Sequence, residues 1–232
     1  MTSAKFGIGA YSLTEAGMLL NVPPRTLRRW VFGYQYVQED KNSKIQLPLW
    51  KPQYGANHEV PLLGFRDLIE ARIVNGLKKL GIGLPTIRDC LRIASEIVDD
   101  DHPFSNKRFK IDGKKLFLEI FDDMGEGKVI DLKQRQHAFQ KIVAPSFIDL
   151  EFDADVASRW WLLPNKKTIV ADPARAFGQP IIAETGVTTR RIAQAVEAEG
   201  SVERVASIFE ISKSSVKDAL TIEGWERKKL AA

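Results

Sequence analysis

One cysteine, three histidines and three methionines occur in 232 residues, and each scarcity removes a class of explanation. Cys90 alone can form neither an internal disulfide nor a cysteine-based zinc finger, which points to a reducing compartment. His58, His102 and His137 are scattered, with no ligand spacing among them or to Cys90, so they read as surface or packing residues and no metal centre is expected. No apolar run approaches the length of a membrane span, and the N-terminus lacks the charged, apolar, small-residue pattern of a signal peptide. A soluble cytoplasmic protein is expected. Neither Gly-Ile-Gly segment carries a Lys-Ser/Thr pair or follows a Rossmann-like strand, so no phosphate loop and no cofactor are expected. Asp149, Glu151, Asp153 and Asp155 alternate as on one strand edge, a pattern that could suggest a metal-dependent nuclease, but a solvated strand face is the simpler reading. No catalytic residue is assigned, and an enzyme is not expected.

Hydrophobic residues at 44% and charged residues at 28% are ordinary globular values, and the net charge is only +4. The basic excess is local. Within the first 38 residues Lys5, Arg25, Arg28 and Arg29 face only Glu15, and a helix that lies against phosphates needs its own positive face. Ser12 and Glu15 have capping-box spacing, so a helix starts there. Leu13, Ala16, Gly17 and Leu20 give it an apolar face over about two turns, to Asn21. Pro23 and Pro24 fit only at a helix start, where a missing amide hydrogen costs nothing. A second helix follows, with Leu27 and Trp30 packing and Arg25, Thr26, Arg28 and Arg29 polar. This helix, turn, helix arrangement places the start of its second helix in a DNA major groove, where Arg can bond bidentately to guanine or neutralise phosphate.

From Val31 to Leu62, aromatic and aliphatic residues flank the polar run from Glu39 to Lys44, which reads as a β-hairpin with an exposed tip; Pro48, Pro52 and Pro61 blur its limits. Tyr34, Tyr36 and Trp50 there are candidates either for core or for stacking on nucleic acid. Helical period returns at Phe65 and runs to a left-handed cap at Gly81, and another helix starts near Pro85. The order from Ser12 to Trp30, the hairpin, then GFRDLIEARIVNGLKKLGIGLPTIRDCLRIA resembles the winged helix-turn-helix of the MerR family of DNA-binding regulators over roughly the first 100 residues. The resemblance implies that Arg25, Thr26, Arg28 and Arg29 approach DNA and that the hairpin, with Lys44, acts as a wing. The chain departs from that family in a long segment between the second and third helices. It departs again where Asp99, Asp100, Asp101, His102 and Pro103 replace a long dimerising helix.

In the middle, RFKIDGKKLFLEI reads as two strands about Asp112 and Gly113. Residues 128–132 suggest a further strand, 133–143 a helix and 147–152 a strand. Trp160 and Trp161 are adjacent and, on a strand, point to opposite faces, so at least one is expected to meet another chain or domain; both are candidate partner-binding residues. Beyond Pro173, residues 178–182 suggest a short strand. Thr188, Ser201 and Ser212 then start three helices, with Gly200 closing the first and Ile211 in the last turn. The last helix carries Lys213, Ser214, Ser215 and Lys217, and also Asp218. FGQPIIAETGVTTRRIAQAVEAEGSVERVASIFEISKSSVKDALTIE is similar to a family of small trihelical domains of unknown function found in VapB-like antitoxins. With the MerR-like start, the chain resembles longer antitoxins encoded beside PIN-type ribonuclease toxins.

The expectation is a mainly helical α+β protein in three parts: a winged helix-turn-helix over 1–100, a small mixed α/β unit over 101–171 and a trihelical helix-turn-helix domain over 172–232. Residue spacing reaches as far as DNA binding; the resemblance adds operon autoregulation, toxin neutralisation and a homodimer on operator DNA. In this reading Lys213, Ser214, Ser215 and Lys217 contact either DNA or protein. Two other readings stand beside it: a ligand-responsive MerR-like regulator, and a scaffold in which both helix-turn-helix units serve only protein contacts.

Overall fold

In the computed structural model, residues 7–37, 43–55, 60–108 and 144–224 are described. The fold is α+β and divides into two compact units, one built on Tyr11–Ile148 with Phe152–Ala157 and the other on Asp149–Glu151 with the chain from Ser158 onward. The strands expected about Asp112 and Gly113 and at 128–132, the helix at 133–143, and His58 and His137 lie outside the described residues.

In the first unit β1 (Tyr11–Ser12) runs directly into α1 (Leu13–Leu20). Ser12 Oγ accepts from the Glu15 amide at 3.2 Å, and Glu15 returns a carboxylate oxygen to the Ser12 amide at 2.9 Å. This reciprocal cap stabilises the helix start by about 1 kcal/mol. Asn21 ends the helix in the left-handed conformation. Gly17 lies against the following turn so closely that a Cβ would stand 2.8 Å from the Val22 carbonyl oxygen, so only glycine lets the turn fold back there. α2 (Pro24–Phe32) buries Leu27, Trp30 and Val31 and packs on α1 and on α3 (Phe65–Lys79). α4 (Leu84–Val98) and a 3-10 turn (Pro103–Ser105) complete the helical framework.

Between α2 and α3 the antiparallel pair β2 (Tyr34–Val37) and β3 (Ser43–Gln46) forms a short hairpin in register Tyr34 with Gln46 and Tyr36 with Lys44. It covers much less than the 31–62 span expected for it. The prolines explain the difference, because Pro48 and Pro52 cannot donate to a ladder. Leu49, Trp50 and Tyr54 turn into the core instead, and β4 (Leu62–Leu63) pairs with β1, Tyr11 opposite Leu63. Gly33 makes the hairpin entry possible: its φ is +71°, and a Cβ there would collide with the Gln46 carbonyl.

The strand expected over 147–152 is divided. Ala144–Ile148 forms one short helix (α5), and only Leu150–Asp153 is extended (β5). With β6 (Val156–Leu163), β7 (Lys166–Ala171) and β8 (Pro180–Ile182) it forms a four-stranded sheet in sequence order. α8 (Lys213–Ile222) packs against β7 and β8, α6 (Thr189–Glu199) against β8, and α7 (Val202–Ile208) against α6 and α8, with Ile169, Ile182, Ile192, Val196, Val205, Ile211, Val216 and Ala219 in one apolar cluster. Thr188, Ser201 and Ser212 each cap their helix through the side-chain oxygen. Gly200 ends α6 at φ +66°. Small Ala206 and the buried Ile211 let α7 and α8 cross closely, and the Ile211 amide donates to the Ala206 carbonyl at 3.0 Å.

Candidate nucleic-acid interface

The periodicity of α2 decides what it shows to solvent. Leu27, Trp30 and Val31 face the core, so Arg25, Arg28 and Arg29, at i, i+3 and i+4, share the opposite, exposed face. Thr26 is half-buried beside them, its amide donating to the Pro23 carbonyl at 2.9 Å. The first turn carries no acidic residue, and among the described residues no carboxylate is in ion-pairing reach of the three arginines. Three permanent positive charges along one exposed face of a helix repel one another in the free protein, and an anion relieves that repulsion.

The hairpin extends this face. Tyr34, Tyr36, Lys44 and Gln46 lie on one side of it by strand alternation and register. Arg29 Cζ lies over the Tyr34 ring, 4.0 Å from its centroid, and the Tyr34 and Tyr36 rings are 5.8 Å apart. Lys44, exposed opposite Tyr36, therefore lies on the side of the hairpin that meets α2. Arg88 of α4 clamps the strand leaving the hairpin, donating to the Pro48 carbonyl at 2.6 Å and the Leu47 carbonyl at 2.9 Å. Burial lowers its pKa, partly offset by Tyr34 and Asp89. Of the hairpin aromatics, Trp50 is core, Tyr34 half-buried and Tyr36 exposed.

The second helix-turn-helix presents a different surface. Lys213, Ser214 and Lys217 are exposed on α8, but Ser215 is 5% exposed and its hydroxyl is engaged with that of Ser212 at 2.9 Å. Lys213 is partnered by Glu203 at 3.3 Å. Asp218 turns inward, 7% exposed, to accept from Lys166 Nζ at 2.7 Å, so it does not oppose Lys217 at the surface. Trp160 is buried at 7% exposure. Trp161 is partly exposed, its indole N–H donates to Glu151 at 2.9 Å, and Lys167 Nζ lies 5.4 Å from its ring centroid. Glu151 also bonds Arg159 and Lys167; the indole bond above all, with Lys167 and Arg159 adding, holds its carboxyl below the usual range. Glu151 is thus a neutralised member of a strand-face network. Among the described residues no group of three or more His, Cys, Asp or Glu is placed to hold a metal ion.

Sequence reasoning missed a buried polar cluster in the first unit. Asp67 accepts from Trp50 Nε1 at 2.8 Å, from the Gln53 and Gly64 amides, and lies 2.9 Å from His102 Nε2. Arg66 bonds Asp100 at 2.7 Å and the His102 carbonyl at 2.8 Å. Glu70 accepts from the Ser105 amide with one oxygen, while the other has no partner. Burial pushes its carboxyl up to about 7. The only local signal was Asp67 three residues after Gly64, the spacing of an acidic residue that caps its own helix.

Residues 9–91 match a family described as "Putative DNA-binding HTH domain". The N-terminal unit carries a helix-turn-helix domain. Residues 169–221 match DUF433, a family described as a protein of unknown function. The chain is 26% identical over 230 residues to a Mycobacterium tuberculosis protein described as "Putative antitoxin VapB45", a match spanning 93% of this chain and 94% of that one. It also shares its fold with the crystal structure of Rv2018 from Mycobacterium tuberculosis, at a TM-score of 0.70 and 21% identity, over 93% of this chain and 99% of that one. No described helix is long and apolar enough to cross a membrane.

Proposed function

We propose that this protein is a non-enzymatic, cytoplasmic, sequence-specific DNA-binding antitoxin, which represses its own operon as a homodimer and neutralises a PIN-type ribonuclease toxin. The observation that carries the DNA reading is the exposed face of Arg25, Arg28 and Arg29, uncompensated by any described carboxylate and continued by Lys44 on the hairpin. In this reading α2 enters the major groove and the hairpin is a MerR-like wing along the backbone. Lys213, Ser214 and Lys217 of α8 supply a second contact, to phosphate rather than to bases. The antitoxin role is supported by the relative of that name, which matches nearly the whole chain. Toxin binding falls to the second unit, where Trp161 offers a partly exposed indole.

The test is binding of the full chain to the fragment upstream of its own reading frame and to a scrambled duplex, from about 50 to 300 mM salt. A dimer with two such modules neutralises on the order of 6 to 10 phosphates, so log K falls with log salt at a slope of ~5 to 9. A flat dependence on both duplexes refutes DNA binding, and equal affinity for both refutes specificity. Co-expression with the product of the adjacent reading frame tests neutralisation: relief of its toxicity supports the antitoxin reading, and unrelieved toxicity or an adjacent frame that encodes no ribonuclease overturns it.

A further inference from the structure

We propose that Tyr34 is a positioning residue for DNA binding: its ring holds the Arg29 guanidinium at the junction of α2 and the hairpin, ready for a backbone phosphate. The inference rests on the DNA-binding reading above and adds a role that neither the helix nor the hairpin has alone.

Arg29 is exposed in the last turn of α2, and among the described residues no carboxylate pairs with it. A free arginine there would sample many rotamers, and binding would have to freeze them. Its Cζ instead lies 4.0 Å above the Tyr34 ring centroid. A guanidinium held over a ring spends no N–H on an ion pair, and its N–H groups match phosphate geometry. The ring is itself held. Gly33 sets the turn that brings β2 back to α2, Tyr36 packs beside Tyr34, and Arg88 fixes the segment leaving β3 through the Leu47 and Pro48 carbonyls. The cation is thus oriented without being neutralised, which an acidic partner could not achieve.

The experiment measures affinity for the upstream fragment, and its salt slope, for the full chain and for Tyr34→Phe, Tyr34→Leu, Arg29→Gln and Tyr34→Leu with Arg29→Gln. Tyr34→Leu is expected to weaken binding about three- to tenfold with the slope unchanged, since no charge is lost. Tyr34→Phe keeps the ring and should bind within about twofold of the wild type. In the Arg29→Gln background the leucine should have no further effect. The Arg29 Nε–H resonance of the free protein should show a ring-current shift that Tyr34→Leu abolishes. Full affinity in a folded Tyr34→Leu protein overturns the proposal. So does an equal loss with and without Arg29, which would give the ring a contact of its own. If the wild type binds with a steep slope and Tyr34→Leu is silent, only this inference falls; a wild type with no salt-dependent binding takes the DNA reading down with it.

Discussion

His102 Nε2 lies 2.9 Å from Oδ1 of Asp67, and both side chains are buried. They are 35 residues apart in sequence, and the contact ties the 3-10 turn after α4 to the first turn of α3. The same carboxylate also receives Trp50 Nε1 and two backbone amides, so one buried group organises three segments that carry no regular structure in common. Replacing it strands several donors at once. Asp67→Ala is expected to destabilise the first unit by about 3 to 5 kcal/mol, the range for removing one partner from a buried, hydrogen-bonded charge. Urea unfolding of the full chain, followed by Trp fluorescence, measures it; a loss under about 1 kcal/mol would mean that water readily replaces the carboxylate.

Glu70 gives that unit a pH dependence of defined sign. Burial raises its folded pKa from 4.5 to about 7, so charging it penalises the folded state. The favourable state is fully present below about pH 4.5 and is lost as pH rises through 7. The lost stability over the full range is about 3 kcal/mol by linkage. Asp100 works the other way: burial would raise it, but bonds from Arg66, Asn106 and the His102 amide outweigh burial and hold it low. Comparing Glu70→Gln with the wild type cancels the other groups. The variant should gain on the wild type by about 2 to 3 kcal/mol between pH 5 and pH 8.5, and parallel stability curves would contradict this.

Cys90 sits in α4 at 1% exposure, and burial, with Asp89 adding, pushes its thiol up to about 12. The thiolate is the reactive species, so at pH 8 almost none is present and the sulfur is inaccessible. An aromatic disulfide reagent should therefore react only at the rate at which the first unit opens, and at once in denaturant. Rapid stoichiometric reaction of the folded protein would show that α4 opens freely.

The parts legible in the sequence were those decided within a few residues. Ser12 with Glu15, Thr188, Ser201 and Ser212 marked helix starts because a cap is a local bond, and Asn21 and Gly200 marked ends because a left-handed residue is a local conformation. The arginine face of α2 followed from period alone. What stayed hidden was decided by distant partners. Nothing near Tyr11 announces Leu63 as its strand partner, and Trp50 reads like a hairpin residue until Asp67 is seen to receive its N–H. The β6–β7 hairpin did carry a signal in Pro164 and Asn165, a turn pair with Asn165 at φ 58°. Trp161 and Lys167 are close only because of it. The contact of Arg29 with Tyr34 requires Gly33 to reverse the chain, so the sequence shows each residue but not their meeting.

The two helix-turn-helix surfaces differ in a way that affinity can separate. Arg25 and Arg28 lie on the solvent face of α2 near its N-terminus, the end that reaches base edges when such a helix enters a major groove. Arg25→Ala or Arg28→Ala should each cost about 1 to 3 kcal/mol on the upstream fragment and much less on scrambled DNA, so the ratio between the two collapses. Lys217 on α8 is unlike them. It is an exposed ammonium on a helix whose Lys213 is already paired and whose Ser215 is buried. Lys217→Ala should therefore weaken both duplexes by the same factor and lower the salt slope by about 1 per protomer, the behaviour of a phosphate contact that reads no sequence. Circular dichroism establishes that each variant is folded before its affinity is read. If Lys217→Ala instead abolishes the preference for the upstream fragment while Arg25→Ala and Arg28→Ala leave it intact, the base-reading helix is α8 and the roles of the two units are reversed.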